Sequence, residues 1–256
     1  MRYYVLESGS KGNSTIIASN GKYLVIDNGL TIKRFKSLIA EINVSIENLN
    51  VLLLTHSHSD HIAGIKAFKD ECIYASRSTY QVSDENHELI PYHQYNLNGF
   101  HITVIPTSHD VVGSVGFVIE ADGEKLVYIT DTGYLYERVM DYIKDADYYI
   151  FESNHDVRMQ LATGRPQYLI DRIMGDHGHL SNEDSALYLS EIISSKTKEI
   201  VLAHLSEEAN TPMKALDTFY KIMSKRGVDV TNINVRCAEQ HNMLCGGNLE
   251  KELCYD

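Results

Sequence analysis

"VLLLTHSHSDHIAG", residues 51–64, decides the reading of this chain. A strand of buried type, Val51 to Leu54, ends and hands over His56, His58, Asp60 and His61. Side chains alternate along extended backbone, so His56 and His58 fall on one side, and Asp60 and His61 reach the turn into a following helix. Imidazole and carboxylate are ligands that borderline cations such as zinc accept. Four of them just past one strand end exceed what packing requires. Such a stretch cannot close two metal sites alone, so further ligands are expected beyond later strand ends. His109 follows "HITVIPTS", Asp131 follows "KLVYIT" and His204 follows "EIVLA". A lone histidine after a strand is usually structural, but three residues matching the first cluster reverse that expectation.

The frame around these residues is an ordinary globular chain of 256 residues, 43% hydrophobic and 23% charged. Strands are predicted at "RYYVLE", "STIIA", "KYLVID", "VLLLT", "CIYA", "FHITVIP", "SVGFVIE", "KLVYIT", "DYYIFE" and "EIVLAH", bounded by Gly, Asn, Asp or Pro. Asp122-Gly123 between two apolar runs signals a hairpin. Helices are predicted near 31–42, 61–69, 133–143, 165–174, 181–195 and 212–226, with Ser181 and Thr211-Pro212 as start signals. Alternating strands and helices in both halves imply an α/β fold of four layers, two sheets inside and helices outside. One domain over 1–240 is expected, with 241–256 as a loose tail.

No apolar run approaches the roughly 20 residues of a membrane span, and the start lacks an apolar leader. Four cysteines without a CxxC pair indicate a reducing cytoplasm rather than a disulfide framework. The net charge of -12 disfavours nonspecific nucleic-acid binding. That is weak evidence, because two dications would add about +4 locally. Oligomeric state is left open.

The strand-end ligands resemble those of the metallo-β-lactamase superfamily in its dinuclear hydrolase form, over nearly the whole chain from "SGSKGN" to "LAHLS". The resemblance implies an αββα sandwich of two mixed sheets with metals at one edge. It implies that His56, His58 and His109 hold one metal, Asp60, His61 and His204 the other, and that Asp131 bridges. Two cations roughly 3.5–4 Å apart lower the pKa of a bridging water toward 7, giving a hydroxide nucleophile at neutral pH. Zinc, manganese and iron all suit mixed His/Asp ligation. Asp27, ending "YLVID", is a candidate to orient a ligand; a strand-end turn residue is an equal reading.

The fold does not fix the substrate. His58 disfavours the diiron oxygen-reducing branch, which typically has glutamate there. The His109–Asp131 interval, 22 residues, leaves no room for the arm of tRNA 3′-processing enzymes, and the Asp131–His204 interval, 73 residues, none for a β-CASP insert. His179, in "GHLSNEDSA", resembles the histidine that phosphodiesterase branches place beside the scissile phosphate, with Glu152 of "FESNHD" to orient it. His179, Asp60 and Glu152 are therefore the candidate catalytic residues, and His177 reads as a loop residue. "SGSKGNS", "HSHSDH", "TSHD", "TDTGY", "FESNHD", "GHLSNEDSA" and "LAHLS" together resemble the YycJ/WalJ-type group of Gram-positive bacteria. That resemblance implies a cytoplasmic 5′→3′ DNA exonuclease.

Ser8, Ser10 and Asn13 of the Gly/Ser loop are candidate phosphate donors, a role many turns could equally fill. Asn154 and His155 are candidate pocket residues. Arg158, Arg165 and Arg172, and the patch Lys33, Arg34 and Lys36, suit phosphate tracking or a solvated helix face. Two other functions compete with the nuclease. One is a small-molecule hydrolase, for cyclic or modified nucleotides or, less favoured, thioesters. The other is a non-catalytic regulator whose metals only hold the fold.

Overall fold

The computed structural model describes residues 1–248. Its strands are β1 (Arg2–Glu7), β2 (Ser14–Ser19), β3 (Lys22–Ile26), β4 (Leu52–Leu53), β5 (Ile73–Tyr74), β6 (Gln94–Leu97), β7 (Phe100–Pro106), β8 (Val115–Ala121), β9 (Glu124–Ile129), β10 (Tyr148–Glu152), β11 (Glu199–Ala203), β12 (Asn234–Cys237) and β13 (Leu244–Gly247). The helices are α1 (Ile32–Glu41), α2 (Ser59–Ile62), α3 (Glu137–Ile143), α4 (Val157–Leu161), α5 (Gln167–Met174), α6 (Asn182–Ile192) and α7 (Pro212–Arg226). One sheet runs β13-β1-β2-β3-β4-β5 and the other β12-β11-β10-β9-β8-β7-β6. Both are mixed: β3, β4 and β5 are parallel in the first, β9 to β12 in the second, and the remaining pairs are antiparallel.

The layers follow from where apolar side chains go. Tyr3, Val5, Ile17, Leu24 and Leu53 of the first sheet meet Ile102, Val104, Phe117, Leu126 and Ile150 of the second in one core. The far face of the second sheet packs Val127, Phe151 and Leu202 against Val139, Leu189 and Phe219 of α3, α6 and α7. The far face of the first packs Val25 and Leu52 against Phe35 and Leu38 of α1. This is the four-layer αββα sandwich the alternation implied.

Local signals set the boundaries. The Thr31 side chain accepts the Arg34 N–H at the start of α1, and Ser181 accepts that of Asp184 at the start of α6. Asp122 and Gly123 both have positive φ, 56° and 73°, as a tight two-residue hairpin turn requires.

Three expectations are corrected. The helix expected at 61–69 is one short turn, α2, and a separate 3-10 turn at Ile65–Ala67. Gly64 lies between the two turns, where a side chain would collide with the Leu30 carbonyl. The tail expected from 241 is not loose at its start. Leu244–Gly247 pairs with Arg2–Val5, closing the otherwise open edge of β1. The rest of that tail, from 249, lies outside the described residues. Helix α4 and strands β6 and β12 were not anticipated.

Candidate active site

The ends of β1, β3, β7, β9, β10 and β11, with the segment after β4, deliver the polar residues to one edge of the sandwich. Asp27 and His204 each follow a strand directly, Asp131 comes one residue past the end of β9, and all three have φ of 56°. The left-handed turn swings the backbone out of the sheet at that residue, at a cost of roughly 1–3 kcal/mol that the surroundings must offset. At His204 the surroundings do so visibly. Its N–H donates to Ser8 Oγ at 2.8 Å, and its carbonyl accepts from Asn154 Nδ2 at 2.9 Å.

The expected ligands converge. His56, His58 and His109 bring donor atoms within 4.8 Å of one another, and so do Asp60, His61 and His204. His56, His61 and Asp131 form a third such group, which sets Asp131 between the two triads. Nδ1 of His58 faces Nε2 of His56 at 3.1 Å and Nε2 of His109 at 3.3 Å.

Each imidazole is oriented from behind through its other nitrogen. His61 Nδ1 lies 2.7 Å from Asp27 Oδ2, and His204 Nδ1 lies 3.1 Å from Glu152 Oε1. The Gly178 carbonyl accepts from His109 Nδ1 at 3.1 Å, and His58 Nε2 lies 3.3 Å from Asp110 Oδ1. Thr55 Oγ1 donates to Asp27 at 2.7 Å, which leaves a lone pair for His56 Nδ1 at 3.0 Å. Such partners fix the tautomer and raise ligand basicity.

Burial holds His56 well below the ordinary imidazole range, so its ring is neutral, the form that can bind a metal. Burial pulls the same way on His204, yet Asp131 and Glu152 carry it up to about 9. Burial would raise Asp131, but His204, His61 and His56 hold it well below the carboxylate range. Asp131 Oδ2 and His204 Nε2 are buried without a hydrogen-bond partner. A buried carboxylate oxygen and a buried ring nitrogen left without partners, beside the neutral imidazole of His56 and the ionised Asp131, fit a divalent metal ion, which would displace the His204 proton.

His179 lies outside the two triads, although its ring nitrogen comes within 4.8 Å of donor atoms of Asp131, Glu152 and His204. Its Nδ1 lies 2.7 Å from Glu152 Oε1, and its ring sits 5.1 Å from that of His109 and 5.2 Å from that of His204. Its side chain is 17% exposed, whereas Glu152 is fully enclosed. Glu152 Oε2 accepts the Thr132 and Leu180 backbone N–H groups at 2.9 and 3.1 Å. Burial would raise the Glu152 carboxyl, but the His179 charge and hydrogen bond bring it down to about 2. An ionised carboxylate only accepts, so the His179 ring donates from Nδ1.

The candidate substrate residues are placed differently from expectation. Ser8 is buried on His204, and Asn13 is buried with Nδ2 3.0 Å from His61 Nε2 and 3.3 Å from Asp60 Oδ2. Both brace ligands. Asn154 and His155 are also buried, the first on the His204 carbonyl, the second bridging to the Ser181 backbone. Ser10 alone of the five is exposed. His177 ties its loop to Ser108 Oγ at 3.0 Å. Arg34 pairs with Glu7 and Arg165 with Glu208. Thr55 and Asp110 went unread in the sequence, although both adjoin ligands and each could have been suspected from that position.

A family model described as a beta-lactamase superfamily domain matches residues 23–205. An exodeoxyribonuclease WalJ of Streptococcus pneumoniae is 35% identical over 223 residues, covering 82% of this chain and 83% of the relative. An exodeoxyribonuclease YycJ of Bacillus anthracis is 33% identical over 243 residues, covering 90% and 92%. The metallo-β-lactamase fold protein YhfI of Bacillus subtilis superposes with TM-score 0.67 at 19% identity, covering 96% of this chain and 99% of its own. With its candidate ligand residues gathered at the edge of the same sandwich, the chain belongs to the metallo-β-lactamase superfamily and is a metal-dependent hydrolase.

Proposed function

We propose that the chain is a dinuclear phosphodiesterase acting as a 5′→3′ exodeoxyribonuclease. The observation that carries the reaction type is His179, a partly exposed imidazole fixed on a buried carboxylate between the rings of two metal-ligand candidates. The relatives named exodeoxyribonuclease, matched over most of both chains, carry the choice of DNA.

His56, His58 and His109 would hold one divalent cation, Asp60, His61 and His204 a second, with Asp131 shared. Zinc, manganese and iron all suit this donor set. The cations would supply Lewis acidity and a water acidic enough to serve as hydroxide at neutral pH. The chain supplies orientation. Asp27, Thr55, Asp110, Gly178 and Glu152 fix the five ligand rings, so little reorganisation accompanies the reaction. Glu152 holds His179 through Nδ1, which leaves Nε2 to protonate the departing sugar oxygen or to stabilise charge on the phosphoryl group. His179 is thus the catalytic residue, and Glu152, enclosed, is a positioning residue.

Among the described residues Cys72, Cys237 and Cys245 are unpaired, which supports a reducing cytoplasm. No helix among them is long and apolar enough to cross a membrane.

The net charge of -12 favours a second reading, a phosphodiesterase for small nucleotides. Duplex DNA labelled at either end, with zinc or manganese, separates the two. Loss of the 5′ label as mononucleotide, abolished by His179→Ala, establishes the exonuclease. Hydrolysis of bis-p-nitrophenyl phosphate without DNA cleavage establishes the second reading.

A further inference from the structure

The carboxylate of Asp110 faces two ways. Oδ1 lies 3.3 Å from His58 Nε2 and 3.4 Å from His109 Nε2, while Oδ2 pairs with Nη1 of Arg172 at 3.0 Å. A single carboxylate therefore separates the Arg172 guanidinium from the ligand histidines. The Arg172 side chain is 58% exposed, so donors not spent on Asp110 remain available to a ligand. In a chain with 35 acidic and 23 basic residues, a cation held at the lip of the site is a local exception to the overall charge.

Helix α5, which carries Arg172, is fixed to the site at its end. The His179 N–H donates to the Ile173 carbonyl at 2.8 Å, and the Gly178 N–H to that of Gly175 at 2.8 Å. A side chain at Gly178 would overlap the Arg172 and Ile173 carbonyls, so the turn presses directly on the helix. Ile170 and Ile173 are buried, which leaves Tyr168 and Arg172 on the opposite side. They are four residues apart and so adjacent on that face. Tyr168 is 75% exposed. An aromatic ring left in water beside an anchored arginine suits a base stacked next to a phosphate.

We propose that the outer face of α5 is the strand-binding rail of this site, with Arg172 holding a backbone phosphate near the scissile one and Tyr168 stacking a base one helical turn farther out. The rail rests on the exonuclease reading and deepens it. A mononucleotide-sized substrate would end before Tyr168, whereas a DNA strand continues over it.

The test uses metal-loaded protein and a single-stranded DNA oligonucleotide. Mononucleotide release gives kcat and KM, and anisotropy with a cleavage-resistant phosphorothioate oligonucleotide gives Kd across a salt series. Arg172→Ala and Tyr168→Ala should each raise KM and Kd about tenfold, with the effect on KM rather than kcat. Tyr168→Phe keeps the ring and should restore binding. Arg172→Ala should also reduce the slope of log K against log salt by about 0.7, the loss of one single-strand phosphate contact. Gln167→Ala, on the same helix but off the rail, should stay within about twofold of wild type. Wild-type cleavage with KM and Kd unmoved in both alanine variants overturns the rail and leaves the exonuclease. No DNA binding or cleavage by the wild type overturns both.

Discussion

His179 Nδ1 lies 2.7 Å from Glu152 Oε1, a partly exposed ring resting on a fully buried carboxylate. The same oxygen also meets His204 Nδ1, so one carboxylate orients the proposed proton carrier and a metal-ligand candidate together. The two roles separate by mutation. His179→Ala should lower kcat by about 10²–10⁴, the range for a lost general acid, with metal content per chain unchanged. Glu152→Gln should lower kcat and also weaken metal binding, because His204 and His179 lose the charge on their shared acceptor. Metal analysis of both proteins decides. Metal loss in His179→Ala equal to that in a ligand variant would make His179 a ligand.

Asp27 bears on the metal from one residue farther out. It is fully buried, and its acceptors are spent on the Thr55 N–H, the Thr55 hydroxyl and His61 Nδ1. Burial raises its carboxyl, and the charge on His61 opposes the rise. Asp27→Ala should weaken metal affinity about 10–100-fold, the usual cost of removing such a partner. Competition with a chromophoric chelator measures it, and an affinity equal to wild type would show that His61 is held by Thr55 alone.

The candidate ligands could be named from the sequence because each lies past an apolar strand, and the geometry that gathers them is local. Asp131 and His204 needed only "KLVYIT" and "EIVLA" before them to be suspected. What braces them was not legible. Asn13 meets His61 across 48 positions and Ser8 meets His204 across 196, contacts with no signature in spacing. The Gly/Ser loop could be read as phosphate donors or as an ordinary turn, whereas Ser8 and Asn13 are spent on candidate metal ligands. Strand β13, "LCGG", has no apolar period because its place is set by backbone pairing with β1, which sequence pattern does not report. Helix α2 is shorter than its apolar pattern suggested, and Gly64 passes close to the Leu30 carbonyl just beyond its end.

Gly29 gives a steric test of how tightly that loop clamps the site. A Cβ there would stand 1.6 Å from the Asp60 carbonyl oxygen, a backbone atom that cannot swing away. The same carbonyl accepts the Asn13 N–H at 2.8 Å, and the Gly29 N–H donates to the Asn13 carbonyl at 2.9 Å. Gly29→Ala must displace Asp60, Asn13 or both. Stability should fall by about 1–3 kcal/mol, as for an overpacked interior site, and metal content should fall with it. Thermal melting with and without added zinc checks this, and an unchanged metal-dependent rise in Tm would mean that the loop yields elsewhere.

A charge cluster remote from the metal edge predicts the acid limb of stability. Lys198 Nζ reaches Glu124 Oε1 at 2.8 Å and Asp147 Oδ1 at 3.0 Å, and Lys196 Nζ reaches Asp147 Oδ2 at 3.0 Å. Burial would raise both carboxyls. For Glu124 the hydrogen bonds from Lys198, the terminal amine and Tyr148 outweigh it. For Asp147 the Lys125 backbone N–H and the two lysines do so. Both end below the ordinary carboxylate range. Carboxyls depressed by folding add stability that is complete above their unfolded values, about 4, and is lost as pH falls through the folded ones. Lys198 is half exposed, so screening limits its pairs to about 1 kcal/mol in total. Lys198→Met should therefore lower Tm modestly at pH 7, and the gap from wild type should close as pH falls below about 4. Melts from pH 7 to pH 3 measure that gap. A gap that is constant across the range would assign the loss to the Lys198 ammonium over the Tyr148 ring, 5.5 Å from its Nζ, rather than to the charge pairs.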